Sequence, residues 1–331
     1  MLNIRRLLTR LALNARWRRR PADLGGTMAD FEALRIAQQP HLRQPILIAG
    51  FSGWNDAGEA ASSAVRFIQR RWRTDTIAEI DPEYFYDFTQ MRPQVRLKDG
   101  ERVVEWPPNV FSAKRVEHLD RDVILLAGVE PHLAWRSYVE AIIEICEKFQ
   151  VAGVVLLGAL LGEASHAKPV RVSGSATADW LNEALSLGER SRSTYQGPTG
   201  IVGVLAQALR EKGIPSASLW ANIPFYVQRT PNPKGSLALL ERLNSGFDLQ
   251  LTLHDLEVFA ARFEAQVAAD IEQNPEVAEY ARRVADAGED GDIDLDDDDD
   301  EAIELEELPD AASMVEDLER FLREQRGGDA S

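Results

Sequence analysis

The loop GALLGEASHAKP places Glu163, His166 and Lys168 within six residues. Those side chains can supply an acid, a base and a fixed positive charge. One of each in a polar loop is also the ordinary content of a solvated turn, so both readings stand. A second loop, GFSGWNDAGEA, carries Gly50, Ser52, Gly53, Asn55 and Asp56. Its glycines allow close backbone approach, and a helix expected from Ala57 offers unpaired N–H groups to an anion. Ser52 and Asn55 can add side-chain hydrogen bonds. The competing reading is capping: Asp56 and Glu59 stand three apart at a helix start, as in a capping box. A third loop, YQGPTGIVGVL, spaces Gly197, Gly200 and Gly203 by three. Thr199 suits the N-cap of a helix from Gly200. Gly203 within that helix costs about 1 kcal/mol relative to Ala, which points to close packing.

None of these loops carries a reaction signature. The first glycine-rich string matches neither G-x-G-x-x-G nor G-x-x-x-x-G-K-[ST]. There is no G-x-S-x-G and no H-E-x-x-H. The five histidines, His41, His118, His132, His166 and His254, are scattered without metal-ligand spacing. No catalytic residue is assigned, and neither a metal nor a cofactor is expected. Beyond residue 27 no basic patch is interleaved with aromatics, so nucleic acid is not an expected partner.

The elements that must hold these loops are apolar runs. Pro45–Phe51, Val123–Gly128 and Val151–Leu157 read as buried parallel strands, joined by Ile77–Ile80 and Ala217–Ala221. Pro169–Val172 is a candidate edge strand. Helical periodicity runs over Ala57–Arg71, His132–Phe149, Ala176–Ser186, Gly200–Lys212, Lys234–Asn244 and a pair within Leu253–Ala287. Glu83–Trp106 reads as a hairpin-like excursion, with KDGE as its turn. Strands alternating with helices predict an α/β fold: three layers, a mostly parallel sheet, helices on both faces. In such sheets ligands bind beyond the carboxyl ends of the strands, where all three loops fall.

Charge is unevenly spread. Residues 1–27 hold seven Arg and one Asp, while residues 286–331 hold twenty acidic residues and three Arg. The net charge of −17 therefore belongs to a tail and says little about a binding site. The expected organisation is an N-terminal extension over 1–43, an α/β core over 44–252 and a helical segment over 253–287. An acidic disordered linker over 288–310 and an amphipathic helix over 311–326 follow, the latter suited to docking on the domain or on a partner. Met28, opening MADFEAL, is the expected start; a disordered or basic amphipathic arm over the first 27 residues is the alternative. No run approaches the length of a membrane span. The single cysteine, Cys146, fits a reducing cytoplasm and a buried position on a helix.

Several strings together resemble the proteasome assembly chaperone 2 family in its actinobacterial branch. They are Gly50–Gly58, Tyr86–Val95, Trp106–Pro107, Glu130–Pro131 with Trp135–Arg136, Gly158–Glu163, Gly197–Gly203, Ser218–Ala221 and Pro231–Lys234. The resemblance covers most of residues 44–260. It implies a fold similar to nucleoside phosphorylases and related hydrolases, homo-oligomerisation, and help in assembling proteasome α-type subunits. Two departures stand out. The ending RGGDAS lacks the hydrophobic–Tyr–any motif by which some archaeal relatives dock on α rings. Where the family pattern reads V-P-H-Y, this chain reads Ile223-Pro224-Phe225-Tyr226. Nor do its residues support the ligase label that some related sequences carry.

The expected function is a non-enzymatic cytoplasmic scaffold or chaperone. Trp106, Pro107, Pro108, Phe225 and Tyr226 are its candidate interface anchors, since aromatic anchors dominate interfaces. The alternative is a small-molecule binder or phosphorylase/hydrolase-type enzyme. In that case Gly50, Ser52, Gly53, Asn55, Asp56, Glu163, His166 and Thr199 line one pocket.

Overall fold

The computed structural model describes residues 33–188, 196–227 and 229–286. The basic N-terminal segment, the acidic linker and the segment 311–326 lie outside the described residues. The eight-stranded sheet contains β1 (Leu34–Ile36), β2 (Ile46–Ser52), β3 (Asp75–Ile80), β6 (Val110–Lys114), β7 (Val123–Val129), β8 (Gly153–Gly162), β9 (Val172–Ala176) and β10 (Ser216–Pro224). Its order is β1-β3-β6-β7-β2-β8-β10-β9. The central block β7-β2-β8-β10 is parallel. The flanking strands β1, β3, β6 and β9 pair antiparallel. The flanks follow from their connections: β3, β6 and β7 are joined without a crossover helix, and only a crossover can make neighbours parallel.

Alternation along the central strands feeds two cores. Leu47, Ala49 and Phe51, with Ile124, Leu126, Val154 and Leu156, face one layer. That layer is built by α2 (Trp135–Lys148) and α4 (Ile201–Glu211). Ile46, Ile48, Val123, Leu125, Val155 and Leu157 face the other. Its helices are α1 (Ala60–Trp72), α3 (Asp179–Ala184) and α5 (Pro233–Phe247). Neighbouring residues on a strand point to opposite faces, so a buried parallel strand must be apolar throughout. This is why those runs were readable. Cys146 lies buried in α2, and burial pushes its thiol up to about 12.

Two helices close the described chain, α6 (His254–Glu272) and α7 (Pro275–Asp286). Phe263, Val267 and Ile271 of α6 pack with Ala281 of α7 and Val227 in a small third core.

The excursion after β3 forms a separate two-stranded ribbon, β4 (Gln94–Lys98) with β5 (Glu101–Glu105). Asp99 and Gly100 both take positive φ at its tip, 52° and 85°, as the expected turn requires. A buried polar network fixes the ribbon's root. Asn109 Nδ2 donates to Tyr86 Oη at 2.7 Å, and Asn109 Oδ1 accepts from Tyr138 Oη at 2.7 Å and from the Val129 N–H at 3.0 Å.

Some elements differ from expectation. The edge strand is Val172–Ala176 rather than Pro169–Val172. Its small residues hid it, and Gly174 is required there because a Cβ would come 2.4 Å from Ser218 O. Helix α3 starts only at Asp179, since residues up to Ala176 are spent on β9. The sheet already takes in Leu34–Ile36, upstream of the expected core boundary at residue 44. The sequence pattern does not predict β6, because Ser112 interrupts its apolar run. Ser112 is buried and bonded to Thr74 Oγ1 at 2.9 Å and Gln69 Nε2 at 3.1 Å.

Candidate functional site

β2 hands the chain to α1 on one face, and the adjacent β7 hands it to α2 on the other. The loops after these two strands therefore part, which is where open α/β sheets form a crevice. Gly50 sits at the end of β2 because α1 crosses closely: a Cβ there would meet Ala61 O at 2.8 Å. Ser52 Oγ donates to Gly128 O at 3.4 Å.

Asp56 is a cap, though not in the box expected. A 3₁₀ turn at Ala57–Glu59 intervenes and delays α1 to Ala60. The Asp56 carboxylate then accepts from the N–H groups of Ala61 (2.7 Å) and Ser62 (3.2 Å) and from Ser62 Oγ (2.5 Å). Burial pushes its pKa above the usual range, opposed by these bonds and by Arg66. Glu59 takes a left-handed conformation and faces Arg66 instead, at 3.5 Å.

Glu130, which follows β7, was not among the expected site residues, yet it joins three loops. Its Oε2 accepts the Trp54 N–H at 2.9 Å. Its Oε1 accepts the N–H of Ile201, the first residue of α4, at 2.8 Å. A carboxylate at a helix N-terminus is favoured by the unpaired N–H groups and the helix dipole. Two glycines admit it. Gly53, at φ +141°, would place a Cβ 2.7 Å from Glu130 Cβ. A Cβ on Gly200 would come 2.8 Å from Glu130 Oε1 and 1.9 Å from Asn55 Oδ1. Asn55 is only 7% exposed, and its Oδ1 has no hydrogen-bond partner among the described residues. The signal in the sequence was a Glu-Pro pair at the carboxyl end of an apolar run.

Thr199 is not the N-cap of α4; Gly200 holds that position with no side-chain cap bond. The backbone turns into the helix one residue later than expected, and Glu130 meets the first helical N–H. Thr199 is exposed, and a Cβ on Gly203 would lie 2.0 Å from its Oγ1, which accounts for that glycine.

Glu163 and His166 belong to a different cluster. The His166 N–H donates to Tyr226 Oη at 2.9 Å, and His166 Nδ1 lies 2.9 Å from the same oxygen. Lys234 Nζ donates to the His166 carbonyl, to Lys168 O at 3.1 Å and to Glu264 Oε2 at 2.5 Å. Tyr280 Oη donates to Glu163 Oε1 at 3.2 Å. The Phe225, Tyr226 and Tyr280 rings pack at centroid distances of 4.8 to 6.0 Å. Burial and the Lys234 charge hold His166 below its ordinary pKa, opposed by Glu264. Among the described residues no hydrogen bond or ion pair joins Asn55 or Asp56 to Glu163 or His166.

The remaining candidates divide by exposure. Pro107 is buried, Trp106 is half-buried with its ring 4.8 Å from Phe88, and Pro108 is exposed. Phe225 is exposed, while Tyr226 is half-buried in the cluster above. The carboxyl edge itself is apolar. Leu133 (52% exposed) and Trp54 (61%) stand in the loops that follow β7 and β2, and Leu161 (61%) and Phe225 (46%) at the ends of β8 and β10, in the spatial order of those strands. The ribbon adds Val95, Leu97 and Val104, exposed on one face. Two cavities lie elsewhere: one of 130 Å3 between Ile46, Val123 and Phe247, and one of 400 Å3 between Val172 and Arg242.

These features define a three-layer α/β protein whose carboxyl edge is an apolar rim over polar side chains, of which Asp56 and Glu130 hold backbone N–H groups and His166 is tied to Tyr226. The chain belongs to the PAC2 family, whose family model matches residues 50–270. A PAC2 family protein from Streptomyces avermitilis is 42% identical, covering 71% of this chain and 99% of its own, with a TM-score of 0.65. A Mycobacterium tuberculosis proteasome-assembly chaperone homologue is 39% identical with the same coverage and a TM-score of 0.63. An archaeal homologue of proteasome-assembly chaperone from Pyrococcus furiosus shares the fold at 20% identity, covering 74% of this chain and 98% of its own, with a TM-score of 0.53. No curated protein matches the chain. No helix among the described residues is long and apolar enough to cross a membrane.

Proposed function

We propose that this chain is a non-enzymatic scaffold or chaperone that assists assembly of proteasome α-type subunits. The observation that carries this reading is the carboxyl edge. At or within four residues past the carboxyl end of each of the four parallel strands stands an exposed large apolar side chain, Leu133, Trp54, Leu161 or Phe225. Large apolar groups gathered on one edge are a protein-contact signature rather than a small-molecule one. Three of the polar groups beneath are engaged: Asp56 caps α1, Glu130 holds two N–H groups, and His166 is tied to Tyr226. The mycobacterial relative described as a proteasome-assembly chaperone homologue supports the choice of partner. Self-association through Trp106, Pro108, Phe225 and the ribbon belongs to the same proposal, as does residence in the cytoplasm.

Native mass spectrometry of the tagged protein, drawn from its own cells at low salt, tests it. Bound α-type subunits or half-assembled rings are expected. A homo-oligomer alone, or one retaining a small molecule, overturns the reading in favour of a ligand-binding one. The double substitution Trp106→Ala with Phe225→Ala should weaken partner binding or reduce oligomer size. If both stay unchanged, those side chains are not the anchors.

A further inference from the structure

At the amino end of the parallel strands, opposite the apolar rim, lies the recess of 130 Å3. Ile46, Ile48, Leu119, Val123, Phe247 and Leu249 line it. Leu119 and Phe247 are half-buried and Asp120 beside them is exposed, so the recess opens to solvent on that side. Hydrogen bonds hold its frame. Buried Asp122 accepts from the Arg43 guanidinium at 2.7 Å and from the Val116 N–H at 3.2 Å, which fixes the turn that carries Leu119. His118 Nε2 lies 3.0 Å from Asp248 O and ties that turn to the one carrying Leu249. A void with apolar walls forfeits dispersion contacts, and one of about 150 Å3 takes a benzene ring.

Arg121 borders this recess. Val123, Ile46 and Gly153 form one row across β7, β2 and β8. Trp180 of α3 packs on Gly153, where a Cβ would come 2.7 Å from the ring. The Arg121 guanidinium, from a residue two before Val123, stands 4.9 Å from the centroid of that same ring. The Arg121 side chain therefore crosses the start of β2 beside Ile46. Stacking engages the flat face of a guanidinium and leaves its N–H edge for an acceptor. Among the described residues no carboxylate or carbonyl takes that edge. Asp122 is held by Arg43 instead. Asp120 also lines the recess, is exposed, and its charge acts on Arg43.

We propose that this recess binds a small free carboxylate bearing one apolar ring or branched alkyl group. The apolar part lies among Ile46, Ile48, Val123 and Leu249, and the carboxylate meets the Arg121 guanidinium. The site is independent of the carboxyl edge, which stands at the other end of the same strands.

The test uses the full chain with 13C-labelled Ile, Leu and Val methyls, titrated with benzoate, benzamide and acetate. Benzamide keeps the ring and shape of benzoate without its charge; acetate keeps the charge without the ring. Saturable shifts of the Ile46 and Ile48 methyls are expected with benzoate below about 10 mM, the scale for a ligand of this size. Benzamide should bind roughly tenfold more weakly, the worth of one charge-assisted hydrogen bond, and acetate should leave both methyls unmoved. Arg121→Met, at a half-buried position, should lower benzoate to the level of benzamide without changing benzamide itself. Leu119→Trp, from the rim, should fill the recess and abolish binding of both. Equal binding of benzoate and benzamide to the unaltered chain overturns the proposal, as does an equal loss of both in Arg121→Met. So do shifts confined to other methyls, binding that survives Leu119→Trp, or no saturation up to that concentration. If benzoate binds while α-type subunits fail to co-purify, the reading of the carboxyl edge falls and this site stands.

Discussion

Glu130 Oε1 accepts the N–H of Ile201 at 2.8 Å, although 71 residues separate the two in sequence. The same carboxylate holds Trp54, so one side chain fixes the loop after β2 and the start of α4 together. Glu130→Ala should lose both bonds and cost about 1–3 kcal/mol, the range for charged hydrogen bonds and a helix-terminal charge. Glu130→Gln keeps an acceptor for one N–H and should cost less, about 1 kcal/mol. Urea unfolding of the two variants checks the order; equal losses would argue against the two-bond role.

Asn109 should be costlier to truncate. Its side chain serves Tyr86, Tyr138 and Val129, all in the interior. Asn109→Ala strands the Tyr138 O–H and the Val129 N–H donors in a dry core, at about 1–3 kcal/mol per unsatisfied group. A loss of at least about 3 kcal/mol in denaturant unfolding is expected, and a loss below about 1 kcal/mol would show that water replaces the amide.

Gly53 and Gly100 both have positive φ, at +141° and +85°, but differ in their surroundings. Gly100 stands in open space at the ribbon tip, whereas a Cβ on Gly53 would run into Glu130. Gly100→Ala should therefore cost only conformational strain, about 1 kcal/mol. Gly53→Ala adds a steric conflict that must displace Glu130, so it should also shift the Ile201 amide resonance. An unmoved Ile201 amide would mean that Glu130 is not held in place by this approach.

The parts of the fold legible in the sequence were those set by local pattern. β2, β7 and β8 are continuous apolar runs because both faces are covered. The ribbon was legible because Asp-Gly selects its turn. Asp56 was readable as a cap, but its partners were not, because the 3₁₀ turn that shifts them depends on packing. Glu130 and the unpartnered Asn55 oxygen were invisible for a deeper reason. Their roles arise where loops 71 and 76 residues apart meet, and no spacing along the chain encodes that meeting. Spacing along the chain likewise does not show which groups the expected pocket residues bond: Asp56 turns to Ala61 and Ser62. His166 answers to Tyr226 and Lys234, brought in by the C-terminal part of the chain, rather than to Asp56.

His166 also makes the stability of that corner depend on pH. Burial and the Lys234 ammonium hold its folded-state pKa below the ordinary 6.5, while Glu264 pulls the other way. On acidification the unfolded chain takes up this proton first. Between the ordinary value and the lower folded one, the unfolded state binds more protons, so stability falls as pH drops through that window. Below the folded pKa the effect levels off. Asp56, with its raised pKa, acts in the opposite sense at lower pH, so the comparison must be with a variant rather than with wild type alone. His166→Gln removes the titrating group, and its urea midpoint should change less than that of wild type between about pH 7.5 and about pH 5. Tyr226→Phe takes away the hydroxyl bonded to His166 Nδ1 but leaves the Lys234 charge and much of the burial, so it should retain part of the slope. Parallel midpoint curves for all three proteins would show that His166 titrates alike in both states, and that the corner joining α5, α6 and the loop after β8 is no pH-sensitive element.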